Sequence, residues 1–172
     1  MTKQISLSGP DITNVEIDRV VEVLRSPTLS IGPQLEEFER LAAATAGRRY
    51  GVAVNSGTSA LHLIVRALGL GEGDEVITTP FSFVASSNVL LMERVKPVFV
   101  DIDPKTLNID AAQIESAITS RTKALLVVDV FGQAVDMEAI ASIASRHHLQ
   151  LIEDSCEAIG GGFNGIPCGK LG

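Results

Sequence analysis

An α/β fold, three layers deep with a mostly parallel sheet between helices, is what this sequence predicts, and two observations carry the prediction. Short apolar runs rich in β-branched residues recur along the chain: GVAV at 51–54, EVIT at 75–78, PVFV at 97–100, ALLVV at 124–128 and LQLI at 149–152. Between them lie segments whose apolar residues return at helical spacing. Nearly continuous apolar runs suit strands buried on both faces, and alternation with helices is how a parallel sheet is covered.

The elements follow in order. Residues 1–50 hold two helical patterns, about 12 to 25 and 34 to 46, the second stopped by Gly47, with no strand of comparable strength. They are expected to form a helical arm ahead of an α/β domain spanning 51–172. GVAV opens that domain, and a helix follows with Leu61, Ile64, Val65 and Leu68 on one face and Gly69 at its end. A second helix follows the turn at Asp136 and carries Ile140, Ile143 and Ala144. After LQLI the chain reads GGGFNGIPCGKLG, an Asn-Gly turn and the start of a hairpin. Nothing after Gly172 closes the domain, so the expectation is a large domain cut short.

Composition narrows the class. Of 172 residues 45% are hydrophobic, enough for a real core rather than a disordered segment. The 14 basic residues against 21 acidic ones gather into no stripe, which argues against nucleic acid or an anionic membrane surface as partner. Cys156 and Cys168 lack CxxC spacing, and His147 and His148 are adjacent. These read as free thiols of a reducing compartment rather than as a zinc site, and no metal is expected. The amino terminus has no signal-peptide core and no run is long enough to span a bilayer, so the expected location is the cytoplasm.

Ligands of an open parallel sheet bind beyond the carboxyl ends of its strands, so the residues after each run are the candidate site. NSGTSALHL is a strand-to-helix turn. Gly57 lets the backbone approach a ligand, and the N–H groups and hydroxyls of Thr58 and Ser59 suit an anion, although the same residues would serve as a plain cap. Phe81 and Phe83 follow the second run; Phe83 is placed either to stack on a flat ring or to pack in the core. Asp101 and Asp103 follow the third, as a metal-binding DxD pair of a glycosyltransferase or as a solvated turn before Pro104. Asp129 follows the fourth run, and Glu153 and Asp154 follow the fifth. GGGFNG matches GxGxxG by accident, since residues 153–159 separate it from the strand and no helix opens after it.

A carboxylate at the end of a buried strand needs a positive partner. For Asp154 a metal would want more ligands than this rim supplies, and a buried arginine is a second option. The third is a protonated heterocyclic nitrogen on a ring held by its phosphate at Thr58 and Ser59 and covered by Phe83. Pyridoxal 5'-phosphate (PLP) has those three handles.

Together VNSGTSALHL, GDEVITTPFSFVASSNV, KPVFVDIDPKTLNID, FGQAVDM and IEDSCEAIG resemble the DegT/StrS-type sugar aminotransferases of the aspartate-aminotransferase superfamily, from about Leu29 to the last residue. The resemblance implies the large domain of the PLP-dependent transferase fold type I, truncated. It implies that Gly57, Thr58 and Ser59 hold the cofactor phosphate, that Phe83 stacks on the pyridine and that Asp154 pairs with the ring nitrogen. Glu157 falls near the cofactor's phenolic oxygen, where many members carry Gln; perosamine-synthase-like members carry the same Glu-Ala pair. Many members carry His in place of Asp129. The Schiff-base lysine of the family lies after the hairpin and is not in this chain, since Lys170 matches a small-residue position. The implied activity moves an amino group from glutamate to a keto carbon of a nucleotide-linked deoxysugar, in surface polysaccharide or glycoside biosynthesis. The implied assembly is a homodimer with the active site at its interface, residues near Gly32 taking part. A non-catalytic PLP-binding remnant is the alternative.

Overall fold

Thr13 and Glu16 form a capping box that opens helix α1 (Asn14–Arg25): the Val15 N–H donates to the Thr13 hydroxyl at 3.2 Å, and the Thr13 N–H donates to Glu16 at 2.6 Å. Helix α2 (Pro33–Thr45) starts on proline, whose missing N–H costs nothing in a first turn, and stops before Gly47 at φ +64°. Both helices lie where the sequence predicts them. The computed structural model describes residues 9–172, and the chain divides into two compact units, one ending at Phe38 and one running from Glu39 to Gly172.

In the larger unit the elements are α3 (Gly57–Ala67), β1 (Glu75–Thr78), α4 (Ala85–Met92), β2 (Lys96–Phe99), α5 (Ala111–Ala117), β3 (Thr122–Val128), α6 (Met137–Arg146) and β4 (Gln150–Asp154). The four strands are parallel, in the order β2-β1-β3-β4. Successive strand residues point to opposite faces. Val76, Ala124, Leu126 and Ile152 face Leu61 and Val65 of α3 and Val89 and Leu90 of α4. Ile77, Leu125 and Val127 face Ile114 of α5 and Ile140, Ile143 and Ala144 of α6. Two cores on one sheet make the expected three layers. Each fully buried Leu, Ile or Val side chain contributes about 1.5–3 kcal/mol, so β3, apolar and buried on both faces, anchors the sheet.

Four of the five apolar runs are strands; GVAV is not. Residues 51–54 lie outside any strand, and Val52 is 81% exposed. A strand needs a neighbour for its backbone groups, and no described strand flanks this segment. Its Ala53 N–H donates instead to the Glu39 carboxylate at 2.8 Å, and a Cβ on Gly51 would meet the Glu39 carbonyl at 2.5 Å. For the same reason the apolar face expected on α3 is only half buried: Leu61 and Val65 are covered, while Ile64 and Leu68 stay exposed. The hairpin forms as β5 (Gly162–Phe163) and β6 (Ile166–Pro167). Asn164 and Gly165 supply the two positive φ angles, +48° and +80°, that its two-residue turn requires.

Candidate functional site

A cavity of about 550 Å³ opens beyond the carboxyl ends of β1, β3 and β4. Its walls come from Pro80 to Phe83 after β1, from Val128 to Phe131 at the end of β3, and from Asp154, Cys156 and Glu157 at the end of β4. This is the rim that the sequence pointed to, and the volume suits a small cofactor.

Glu153 and Asp154, adjacent in sequence, separate at once. Asp154 points to the same face as Ile152, is 8% exposed, and lines the cavity. Its Oδ2 accepts the Ser86 hydroxyl at 3.0 Å and its Oδ1 accepts the Cys156 N–H at 3.3 Å. Ser86 in turn lies 2.8 Å from the Ser82 hydroxyl. A carboxylate has about four acceptor sites, so capacity remains toward the cavity. Glu153 points the other way, accepts the Gly172 N–H at 3.0 Å, and is pushed above the usual carboxylate range by burial.

Phe83 is 76% exposed on the cavity wall and packs in neither core of the described residues. Phe81 meets Phe131 edge-to-face, with centroids 6.0 Å apart and planes at 87°. Phe131 stands at φ +53°, a left-handed conformation that costs a non-glycine residue about 1–2 kcal/mol. Three contacts hold it there. The Phe131 N–H donates to Glu157 at 2.7 Å, the neighbouring Val130 N–H donates to Asn108 Oδ1 at 3.1 Å, and the Asn108 amide donates to the Gln133 carbonyl at 2.7 Å. The Glu157 carboxylate is thus engaged by backbone.

The start of α3 adjoins Cys156 of the cavity wall, since a Cβ on Gly57 would come within 3.0 Å of its Sγ, but Gly57, Thr58 and Ser59 do not themselves line the cavity. Its first-turn donors divide unevenly. Ala60 bonds the Ser56 carbonyl, and the Ser59 N–H donates to the Ser56 hydroxyl at 3.2 Å, so Ser56 is the cap and Ser59's N–H is not free as the sequence suggested. Among the described hydrogen bonds the Gly57 and Thr58 N–H groups have no partner. The Ser56 hydroxyl donates to Ser59 Oγ at 3.0 Å, which leaves the Ser59 proton for another acceptor. Burial, then the hydrogen bond to Asp154, pushes the Cys156 thiol up to about 12, so it is no nucleophile at neutral pH.

Of the other acids, Asp129 also lines the cavity. Asp129, buried, accepts the Val135 N–H at 2.9 Å and the Ser155 hydroxyl at 2.6 Å. With Glu153 and Cys168 it forms a group whose ligand atoms lie within 4.8 Å of one another; burial pushes the Cys168 thiol up to about 11. Asp101 and Asp103 accept the N–H groups of Ile102 and Lys105, each at 2.8 Å, in the turn around Pro104. Lys170 donates to the Gly47 carbonyl at 2.9 Å, and no described lysine lines the cavity. Sequence reasoning missed Ser82, Ser86, Asn108 and Phe131. The spacing of Ser82 and Ser86, four apart at a helix start, was the one available signal; the others depend on long-range packing.

The model of the DegT/DnrJ/EryC1/StrS aminotransferase family matches residues 10–172. The chain is 48% identical over 158 residues to a pleiotropic regulatory protein of Geobacillus stearothermophilus, covering 91% of this chain and 42% of that protein. It is 42% identical over 170 residues to GDP-perosamine synthase of Caulobacter vibrioides, covering 98% and 46%. The putative sugar aminotransferase Spr1654 of Streptococcus pneumoniae, in its PMP form, superposes with a TM-score of 0.92 at 33% identity, covering 98% of this chain and 46% of that one. The chain therefore spans less than half the length of these relatives. On the sequence match and the superposed fold alike, the chain belongs to the DegT/DnrJ/EryC1/StrS aminotransferase family.

Proposed function

We propose that this chain carries the PLP cradle of an aminotransferase that acts on a keto group of a nucleotide-linked deoxysugar, with glutamate as amino donor, in surface polysaccharide or glycoside biosynthesis. The observation that carries the reading is Asp154, a buried carboxylate on the cavity wall, held by Ser86 and Cys156 with acceptor capacity to spare. The residues present fit PLP at its three handles. Asp154 holds the proton on the ring nitrogen, a charge-assisted bond of about 1.5–3 kcal/mol. The exposed ring of Phe83 would supply the face for the pyridine. The Gly57 and Thr58 N–H groups, with the Thr58 and Ser59 hydroxyls, donate to the phosphate at the α3 N-terminus, where the helix dipole favours an anion. Glu157, on the cavity wall with its Oε2 accepting the Phe131 N–H, completes the proposed cofactor-binding set. When bound, PLP supplies the electron sink for the transfer.

The proposed assembly is a homodimer with residues near Gly32 at the interface. Val15, Val20 and Leu24 of α1 are exposed and α1 buries no residue, which leaves an apolar face for a second copy. The proposed Schiff-base lysine is none of the described ones, since Lys170 is tied to Gly47. A regulatory, non-catalytic role is the second reading, favoured by the name of the Geobacillus relative.

Borohydride reduction of the chain mixed with PLP, followed by peptide mapping, tests the lysine assignment. Scattered, substoichiometric labelling is expected; one stoichiometric adduct on Lys170 overturns it. Transamination of a nucleotide-linked keto sugar, assayed after extending the chain by whatever follows Gly172 in its gene, separates the two readings. Turnover supports the enzyme, and PLP binding without turnover supports the regulatory role.

A further inference from the structure

We propose that Ser86 is a positioning residue for Asp154, and that Ser82 and Ser86 form a directed hydroxyl chain that fixes this carboxylate as an acceptor toward the ring nitrogen of PLP. The inference rests on the cofactor reading above. Ser86 is 1% exposed and its Oγ lies 3.0 Å from Asp154 Oδ2. The Ser82 Oγ lies 2.8 Å further along, half-buried on the cavity wall. A hydroxyl has a single proton. If Ser86 gives its proton to the carboxylate, it can only accept from Ser82, so both protons point toward Asp154. The competing acceptor for Ser82, the Phe83 carbonyl, is more distant at 3.3 Å. Hydroxyls aligned in this way polarise one another and strengthen the terminal bond. The other donors to Asp154 are weaker: the Cys156 N–H is beyond the usual N–H···O range at 3.3 Å, and the Cys156 thiol is a weak S–H donor. Ser86 is therefore the anchor that keeps the carboxylate from rotating, and the lone pairs facing the cavity stay where a pyridinium N–H would meet them.

The test compares PLP with its carbocyclic analogue, in which the ring nitrogen is replaced by CH, by calorimetric titration of the 172-residue chain. The wild type is expected to prefer PLP. Ser86→Ala is expected to lower PLP affinity about tenfold, the scale of one hydrogen bond to a charged group, and to leave affinity for the analogue unchanged. Ser82→Ala, at the solvent end of the chain, is expected to act the same way but less, and it decides the matter where Ser86→Ala does not fold. Equal losses for both ligands would mean that the serines only pack the site, and would overturn the proposal. A preference for PLP that survives both substitutions overturns it as well, while leaving the cofactor reading intact. A wild-type chain with no preference for PLP over the analogue overturns both.

Discussion

At the scale of single residues, the period of a strand decides the chemistry. Glu153 and Asp154 are neighbours in sequence, yet one turns to the Gly172 backbone and the other to the cavity, because successive β residues alternate faces. The turn before α3 shows the same economy: Ser56 closes the helix, so Thr58 and the Ser59 hydroxyl are left for a ligand. Thr58→Ala combined with Ser59→Ala is expected to weaken PLP binding about tenfold while the unfolding midpoint stays put, because two charge-assisted donors are lost but the cap is kept. Titration of PLP against both proteins checks this, and equal affinities would reduce the turn to a helix cap. The placement of Phe83, Asp154 and Glu157 on one rim was legible because each follows an apolar run. Ser86 was not, because its role depends on a residue 68 positions away.

Elements succeed or fail by their neighbours. EVIT, PVFV, ALLVV and LQLI became strands because each found another to pair with, and GVAV, as apolar as the others, did not. Apolar pattern reports burial potential; it does not report whether a partner strand is present. The segment after β3 depends on a different support. Asn108 takes the Val130 N–H and gives its amide to Gln133, which pins the backbone on both sides of the left-handed Phe131. Asn108→Ala leaves the buried Val130 N–H unpaired, at a cost of about 1–3 kcal/mol. Urea unfolding should show that loss, and Phe131 should lose its edge-to-face contact with Phe81. An unchanged midpoint would mean that Glu157 and Asp129 hold the segment alone.

For the molecule as a whole, the parallel three-layer sheet was readable from strand–helix alternation, and the position of the cavity followed from it. The ion network under the sheet was not readable, since it joins residues far apart in sequence. Glu75, 1% exposed at the start of β1, receives the Thr119 hydroxyl, Arg121 and Lys96, which together hold it down from 4.5 to about 2. A carboxylate held down on folding stabilises fully above its unfolded value, and that stabilisation fades as pH falls through the folded value. Stability should therefore drop between about pH 5 and pH 2, and Glu75→Gln should be less stable at neutral pH with a flatter profile across that window. Urea midpoints measured against pH for both proteins check the sign.

If Asp154 holds a protonated ring nitrogen, as proposed, nitrogen NMR of PLP labelled with ¹⁵N in the ring and bound to the chain at neutral pH shows it. A pyridinium resonance is expected in the wild type and a neutral pyridine resonance in Asp154→Ala. A bound cofactor whose ring nitrogen is unprotonated in the wild type, or equally protonated in both proteins, would contradict it.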